Sequence, residues 1–304
     1  MRIIEVADNL YLVPLDQALE GFRDFISAWV YTGGPRVVVD TGPSATQEHL
    51  ARALDSLGVL GLDAILLTHV HIDHSGGAGE LSARYPEAPV VCHQKGLRHL
   101  ADPAKLWEGS LKTLGDTALA YGPISPVPGA RLVDAQEYEA DGVRPIPTPG
   151  HAPHHTSYLV DGILFAGEAC GVHFNLPDGD RWMRPATPPR FVPEVSLASL
   201  DALRLVPHDL LCFGHFGATE NTPEVMDAHR AQLLRWLGIV EQEMERRHGE
   251  DLIEPVLQRF LAEDPELHAW DRLPADVRKR EYGFMKNSVR GMAGYLESRA
   301  GQGD

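Results

Sequence analysis

Thr68-His69-Val70-His71-Ile72-Asp73-His74 puts four side chains able to bind a metal within six residues, directly behind the apolar run Ile65-Leu66-Leu67. An apolar run of that length reads as a buried strand, and ligands in open α/β sheets gather beyond the carboxyl ends of strands. His69 and His71, two apart in an extended loop, can face one ion, while Asp73 and His74 at the turn into a helix reach a second. A lone histidine is usually a surface or satisfied core residue. Four polar side chains beside a buried strand have no such explanation, because burying them without a shared partner is costly.

Outward from this stretch, the chain alternates short apolar runs with helical spacing. Strands are expected at 3–6, 10–15, 28–32, 36–40, 63–68 and 90–92, and helices at 46–57 and 77–85. This alternation is that of an α/β protein. Residues 96–130 look less regular, a lid or insertion. Strand signals return at 131–133, 143–148, 156–160, 163–166 and 210–213, with a helix at 196–205 between the last two. Residues 172–193 carry Pro177, Pro185, Pro188, Pro189 and Pro193, which predicts an ordered loop with little helix. From Pro223 onward, apolar residues recur at helical spacing: Met226, Leu233, Leu237, Val240 and Met244, then Leu252, Val256 and Phe260, then Met285, Val289, Met292 and Leu296. The division expected is a domain over 1–222 and a helical section over 223–304 packed on it, with a homodimer also compatible.

Bulk composition narrows the function. With 304 residues, 43% hydrophobic and 23% charged, the chain can bury a sizeable core. Its net charge of −16 repels polyanions and argues against nucleic acid as a partner. No apolar run is long enough to cross a bilayer, and the N-terminus lacks the pattern of a secretory signal, so no membrane partner and a cytoplasmic location are expected. Cys92, Cys170 and Cys212 are few and widely spaced, which suits small buried hydrophobes better than a disulfide framework.

The pattern His69-Val70-His71-Ile72-Asp73-His74 resembles the H-x-H-x-D-H signature of the metallo-β-lactamase superfamily. Four further stretches match that family in order. Val39-Asp40-Thr41-Gly42 is similar to its V-D-T-G, and Thr148-Pro149-Gly150-His151 to its T-P-G-H. Phe165-Ala166-Gly167-Glu168 is similar to its F-x-G-D, and Gly214-His215-Phe216 to its G-H-G. The resemblance implies a four-layered αββα sandwich and two divalent metal ions. His69, His71 and His151 would hold the first ion, and Asp73, His74 and His215 the second. Asp40 would support the site. The histidine and carboxylate donors suit zinc, and iron or manganese as well. Two positions depart from the family: Glu168 stands where an Asp usually bridges the metals, and the bulky Phe216 follows His215.

The same resemblance implies a glyoxalase II-like hydrolase of a small ester, thioester or lactone, acting through a metal-bound hydroxide that Asp73 orients. The alternative on this scaffold is an iron-dependent redox enzyme similar to persulfide dioxygenases. His155 and His173 are weaker candidates for supporting a ligand or meeting the substrate. For His173 a surface position is the simpler expectation. Arg181, Arg184 and Arg190 share its segment; solvated arginines are the ordinary case there, and a carboxylate grip is the alternative.

Overall fold

The computed structural model describes residues 2–188, 190–247 and 251–301. Seven strands lie side by side in chain order: β1 (Ile4–Ala7), β2 (Leu10–Pro14), β3 (Ser27–Tyr31), β4 (Val37–Val39), β5 (Ala64–Leu66), β6 (Val90–Cys92) and β7 (Leu132–Asp134). The first four pair antiparallel, and β4 through β7 pair parallel. Parallel neighbours need crossovers. Helices supply them: α1 (Gln47–Ser56) between β4 and β5, and α2 (Ile72–Ser75) with α3 (Ala78–Arg84) between β5 and β6. Three more, α4 (Gln94–Ala101), α5 (Ala104–Leu114) and α6 (Asp116–Tyr121), lie between β6 and β7.

A second sheet begins with β8 (Val143–Pro147), β9 (Thr156–Val160) and β10 (Ile163–Gly167). The chain then makes a separate hairpin, β11 (Val172–Asn175) and β12 (Arg181–Arg184), and a helix, α7 (Pro193–Arg204). It returns to the second sheet as β13 (Leu210–Phe213), parallel to β10, and β14 (Ala218–Thr219). Helices α8 (Thr222–Arg247), α9 (Ile253–Glu263) and α10 (Ala275–Ala300) complete the described chain.

The two-residue period of a strand sorts its side chains into layers. Val37 and Val39 face the second sheet, meeting Tyr158, Phe165 and Cys212, whereas Val38 between them faces the helices. In β10, Phe165 joins the inter-sheet layer, while Leu164 and Ala166 face Leu200 and Leu203 of α7. The central strands are therefore buried on both faces, which is why β4, β5, β6 and β13 read as continuous apolar runs. Each fully buried Val, Leu or Phe contributes about 1.5–3 kcal/mol. Hydrogen bonds also tie the sheets together: Trp29 Nε1 donates to the Phe213 carbonyl at 2.9 Å, and the Tyr158 hydroxyl to that of Leu67 at 3.0 Å.

Residues 96–130 are not an irregular lid. They hold parts of α4 to α6, whose Leu97, Leu100, Leu106, Trp107 and Leu111 pack on the core. The proline-rich segment is not a plain loop either. Pro177 and Pro185 lie outside the paired residues, and within the hairpin the rings of Phe174 and Trp182 stack at 5.4 Å. Arg181 and Arg184 are not simply solvated. Arg181 pairs with Glu224 at 3.0 Å and Glu266 at 3.2 Å, and the buried Arg184 pairs with Glu281 of α10. The three tail helices share one continuous apolar cluster with β11, β12 and α1.

Candidate metal centre

The histidine loop leaves β5 at Leu66, and two networks fix its side chains and those that meet them. Asp40 follows β4 with φ +56°, a left-handed conformation that Asp tolerates better than most residues. Gly42, at φ +69°, leaves no room for a side chain because Leu15 fills the space where its Cβ would stand. The resulting turn aims the Asp40 carboxylate under the histidines. Asp40 Oδ1 accepts the Thr68 backbone N–H at 2.8 Å, and Oδ2 accepts the Thr68 hydroxyl at 2.8 Å. Having donated to Asp40, that hydroxyl must accept from Nδ1–H of His69, 3.0 Å away. Asp40 Oδ2 also lies 2.8 Å from Nδ1 of His74. One carboxylate thus orients the rings of two histidines, His69 through Thr68 and His74 directly, and turns both Nε2 atoms toward the donor groups.

His151 is held by its Nδ1, which donates to the Ala186 carbonyl at 2.9 Å. Glu168 is held through its backbone. Its N–H donates to His155 Nε2 at 3.1 Å, so His155 carries its proton on Nδ1 and donates to Thr148 Oγ1 at 2.8 Å. Thr148 passes the chain on to Ser157, 2.9 Å away, which donates to the Ala166 carbonyl at 3.1 Å. His155 therefore supports Glu168 and is not among the converging donor atoms. Gly167, at φ +56°, lets the chain bend beside the His155 ring where a Cβ would collide with it.

The donor atoms form two groups, each with all its atoms within 4.8 Å of one another: His69, His71, His151 and Glu168 in one, Asp73, His74 and His215 in the other. In the first, His71 Nδ1 lies 2.9 Å from His69 Nε2 and 3.0 Å from His151 Nε2. Glu168 Oε2 is 3.3 Å from His69 Nε2 and 2.7 Å from His151 Nε2. A tetrahedral ion with bonds of about 2.0–2.2 Å sets its ligand atoms roughly 3.3–3.5 Å apart, so these spacings are slightly inside those of a filled site. With Nδ1 of His69 and of His151 engaged by Thr68 and by the Ala186 carbonyl, both rings turn Nε2 into this group, the arrangement of metal ligands. His74 Nε2 is buried with no hydrogen-bond partner. These are the features of a set of residues that fits cations.

In the second group, His74 Nε2 and His215 Nε2 lie 3.7 and 3.9 Å from Asp73 Oδ2. Glu168 reaches both groups, its other oxygen, Oε1, lying 3.1 Å from His215 Nε2. The metal-free electrostatics are strained. Burial, then the neighbouring His151, pushes His71 down to about 3. Burial also pulls on His74, but the carboxylates of Asp73 and Asp40 outweigh it and push His74 up to about 10. Burial would raise the Glu168 carboxyl, yet His151 and His215 hold it well below the usual range.

Comparison with known proteins shows the family. The family model described as the metallo-β-lactamase superfamily matches residues 21–215, well over half the chain. The chain belongs to that superfamily. A metallo-β-lactamase fold-containing protein of Sulfurisphaera tokodaii is 34% identical over 182 residues, covering 57% of this chain and 67% of that protein. The crystal structure of an archaeal metallo-β-lactamase superfamily protein from Sulfolobus tokodaii superposes with a TM-score of 0.66 at 25% identity, covering 93% of this chain and 98% of that one. A hydroxyacylglutathione hydrolase of Xanthomonas campestris is 31% identical over 205 residues, 65% of this chain and 63% of that protein. Matches to curated relatives span from 37% to 77% of the relatives' own lengths. The superfamily's αββα fold therefore carries a C-terminal helical section here.

Other sequence candidates lie elsewhere. His173 is buried and not at the surface, its ring stacked on Phe213 at 4.6 Å, and it is in neither donor group. Phe216, at φ +25°, packs on the inter-sheet core, with the Arg2 guanidinium 5.8 Å above its ring. Thr68 and the Ala186 carbonyl hold ligand histidines, and Thr148 supports Glu168 through His155. Thr68 has a signal in its place beside the histidine motif and Thr148 in the T-P-G-H stretch, whereas Ala186 has none. Among the described residues no helix is long and apolar enough to cross a membrane.

Proposed function

We propose that this chain is a dinuclear metal-dependent hydrolase that cleaves a small ester, thioester or lactone. One observation carries the reading: Glu168 turns Oε2 toward His151 at 2.7 Å and Oε1 toward His215 at 3.1 Å, so one carboxylate serves both donor groups. Support also comes from the similarity to hydroxyacylglutathione hydrolase, a protein whose name states a hydrolytic activity. Two divalent ions held there would bring the pKa of a water near 7 and polarise a carbonyl. Zinc suits these donors, as do iron and manganese.

The remaining work falls to the side chains. His69, His74 and His215 are buried, whereas His71, Asp73 and His151 are partly exposed, so a small-molecule substrate enters over the latter three. Asp73 accepts the proton of the attacking water and returns it to the departing oxygen or sulfur. Glu168 and the buried histidines exclude bulk water from beneath the carbonyl. No serine or cysteine nucleophile is required.

The test is metal analysis with a substrate screen. Protein purified without added metal and then reconstituted should bind two ions per chain and hydrolyse at least one ester, thioester or lactone. Glu168→Gln should lower the content of bound ions and reduce kcat/KM by at least the roughly 10–100-fold that loss of a ligand-supporting group costs. Iron as the purified metal, with oxygen consumed and no member of the screen hydrolysed, would overturn the proposal in favour of a redox enzyme.

A further inference from the structure

Metal-binding histidines almost always donate their second ring N–H to a carboxylate, carbonyl or water, which fixes how the ring stands. His69, His74 and His151 follow that rule through Thr68, Asp40 and the Ala186 carbonyl. His215 does not. Its Nδ1 is buried and has no hydrogen-bond partner, although the ring is only 4% exposed.

What holds the ring is a stack. Phe25 lies parallel to His215, with centroids 4.1 Å apart and planes 6° from each other. The backbones are joined next to this contact, because Ile26 forms an antiparallel bridge with His215. The guanidinium carbon of Arg280 stands 3.9 Å from the same Phe25 centroid. Two planar groups cannot both sit about 4 Å from one centroid on one face without overlapping, so Arg280 and His215 occupy opposite faces of Phe25. Arg280 comes from α10, in the helical section that the family match over residues 21–215 does not include.

Arg280 is itself firmly placed. Its Nε donates to Glu281 at 2.7 Å, its Nη1 donates to the Gly21 carbonyl, and Arg184 donates to the other oxygen of Glu281. Phe284, one turn along α10, also stacks on Phe25 with centroids 5.5 Å apart. A guanidinium over an aromatic face is attracted by the ring quadrupole, most strongly where water is excluded.

We infer that Phe25, backed by Arg280, is the positioning element for His215: the C-terminal helix sets the second metal site through an aromatic ring instead of a hydrogen bond. This rests on the dinuclear reading above. The interaction that orients His215 therefore crosses from the tail into the αββα core, and the second ion's affinity depends on a helix that supplies none of its ligands.

The test reads metal affinity, using cobalt(II) added to metal-free protein and followed by its visible absorption. Wild type binding two cobalt ions, read as two steps, confirms the underlying reading; saturation at one ion per chain overturns that reading whatever the variants do. Given two steps, Phe25→Leu should weaken the second by roughly 10–100-fold, the cost of losing a supporting partner, and change its spectrum while leaving the first unchanged. Phe25→Tyr, which keeps the ring, should restore both affinity and spectrum. Arg280→Met should produce a smaller loss, also confined to the second step. Circular dichroism and thermal melting identify any variant that fails to fold, in which case the Tyr and Met variants decide. Equal weakening of both steps, or wild-type binding by folded Phe25→Leu or Arg280→Met, overturns the inference.

Discussion

Asp40 Oδ2 lies 2.8 Å from Nδ1 of His74, and both side chains are buried where the turn after β4 meets α2. Because the same carboxylate also holds Thr68, and through it His69, a single residue sets the proton positions on one ligand of each donor group.

Asp40→Asn should therefore damage the site without removing a ligand. Asn tolerates the positive φ at this position, and its carbonyl oxygen can keep the bond to the Thr68 backbone. Its amide would then face His74 Nδ1 as a donor, driving the His74 proton onto Nε2, the atom that must carry a lone pair. The expected result is about a 10–100-fold loss of metal affinity, with the melting temperature of the metal-free protein changed far less. Isothermal titration with zinc measures it; unchanged affinity would show that Asp40 does not set the His74 tautomer.

His229, which is in neither donor group, gives a pH prediction. It is buried on α8 beside a cavity of about 20 Å3, room for one water. Burial pushes its imidazole down to about 4. The native state thus stays unprotonated at His229 while the unfolded chain takes up a proton near pH 6.5. More protons on the unfolded chain mean that stability falls as pH drops from about 6.5 to 4, by on the order of 2–3 kcal/mol from this group. Metal-free His229→Leu should lose correspondingly less stability than wild type between pH 7.5 and 4.5 in urea titrations. Parallel acid losses in the two proteins would remove His229 as the cause.

The tail helices should be indispensable to folding. Trp236 stacks on Phe260 at 4.0 Å and donates to Asp264 at 2.6 Å, and Asp264 also accepts from Gln232 at 2.7 Å. Trp236→Ala removes both the stack and the donor and should cost about 3–5 kcal/mol, read from denaturant midpoints. Truncation before Pro223 should give insoluble protein, because Val172, Phe174 and Trp182 share one apolar cluster with Leu233, Trp236 and Met285. A truncated chain that stays monomeric and binds two metals would contradict both this expectation and the role assigned to Arg280.

Local features are legible in the chain before it folds. His69, His71, Asp73 and His74 stand within one turn of chain, so their spacing declares their chemistry without any fold. Strand positions are readable for the same reason: β5, β6 and β13 are short apolar runs whose burial on both faces leaves a direct mark in composition. The helices of residues 96–130 escape such a reading because α5 buries no residue fully, which weakens its apolar period, and because Gly and Pro cluster near the segment's end. His173 escapes it because burial belongs to the ring it meets, Phe213, forty residues later in the chain.

How the distant ligands converge, and what holds them, is a property of the packed fold. His151 meets His71 across eighty residues of chain, and Glu168 meets both donor groups because β10 ends beside the histidine loop. Phe25 and Arg280 lie 255 residues apart, and neither carries a motif. A metal ligand needs a particular atom type, which sequence records. A ring that orients the ligand needs only the right shape in the right place, and place is set by packing.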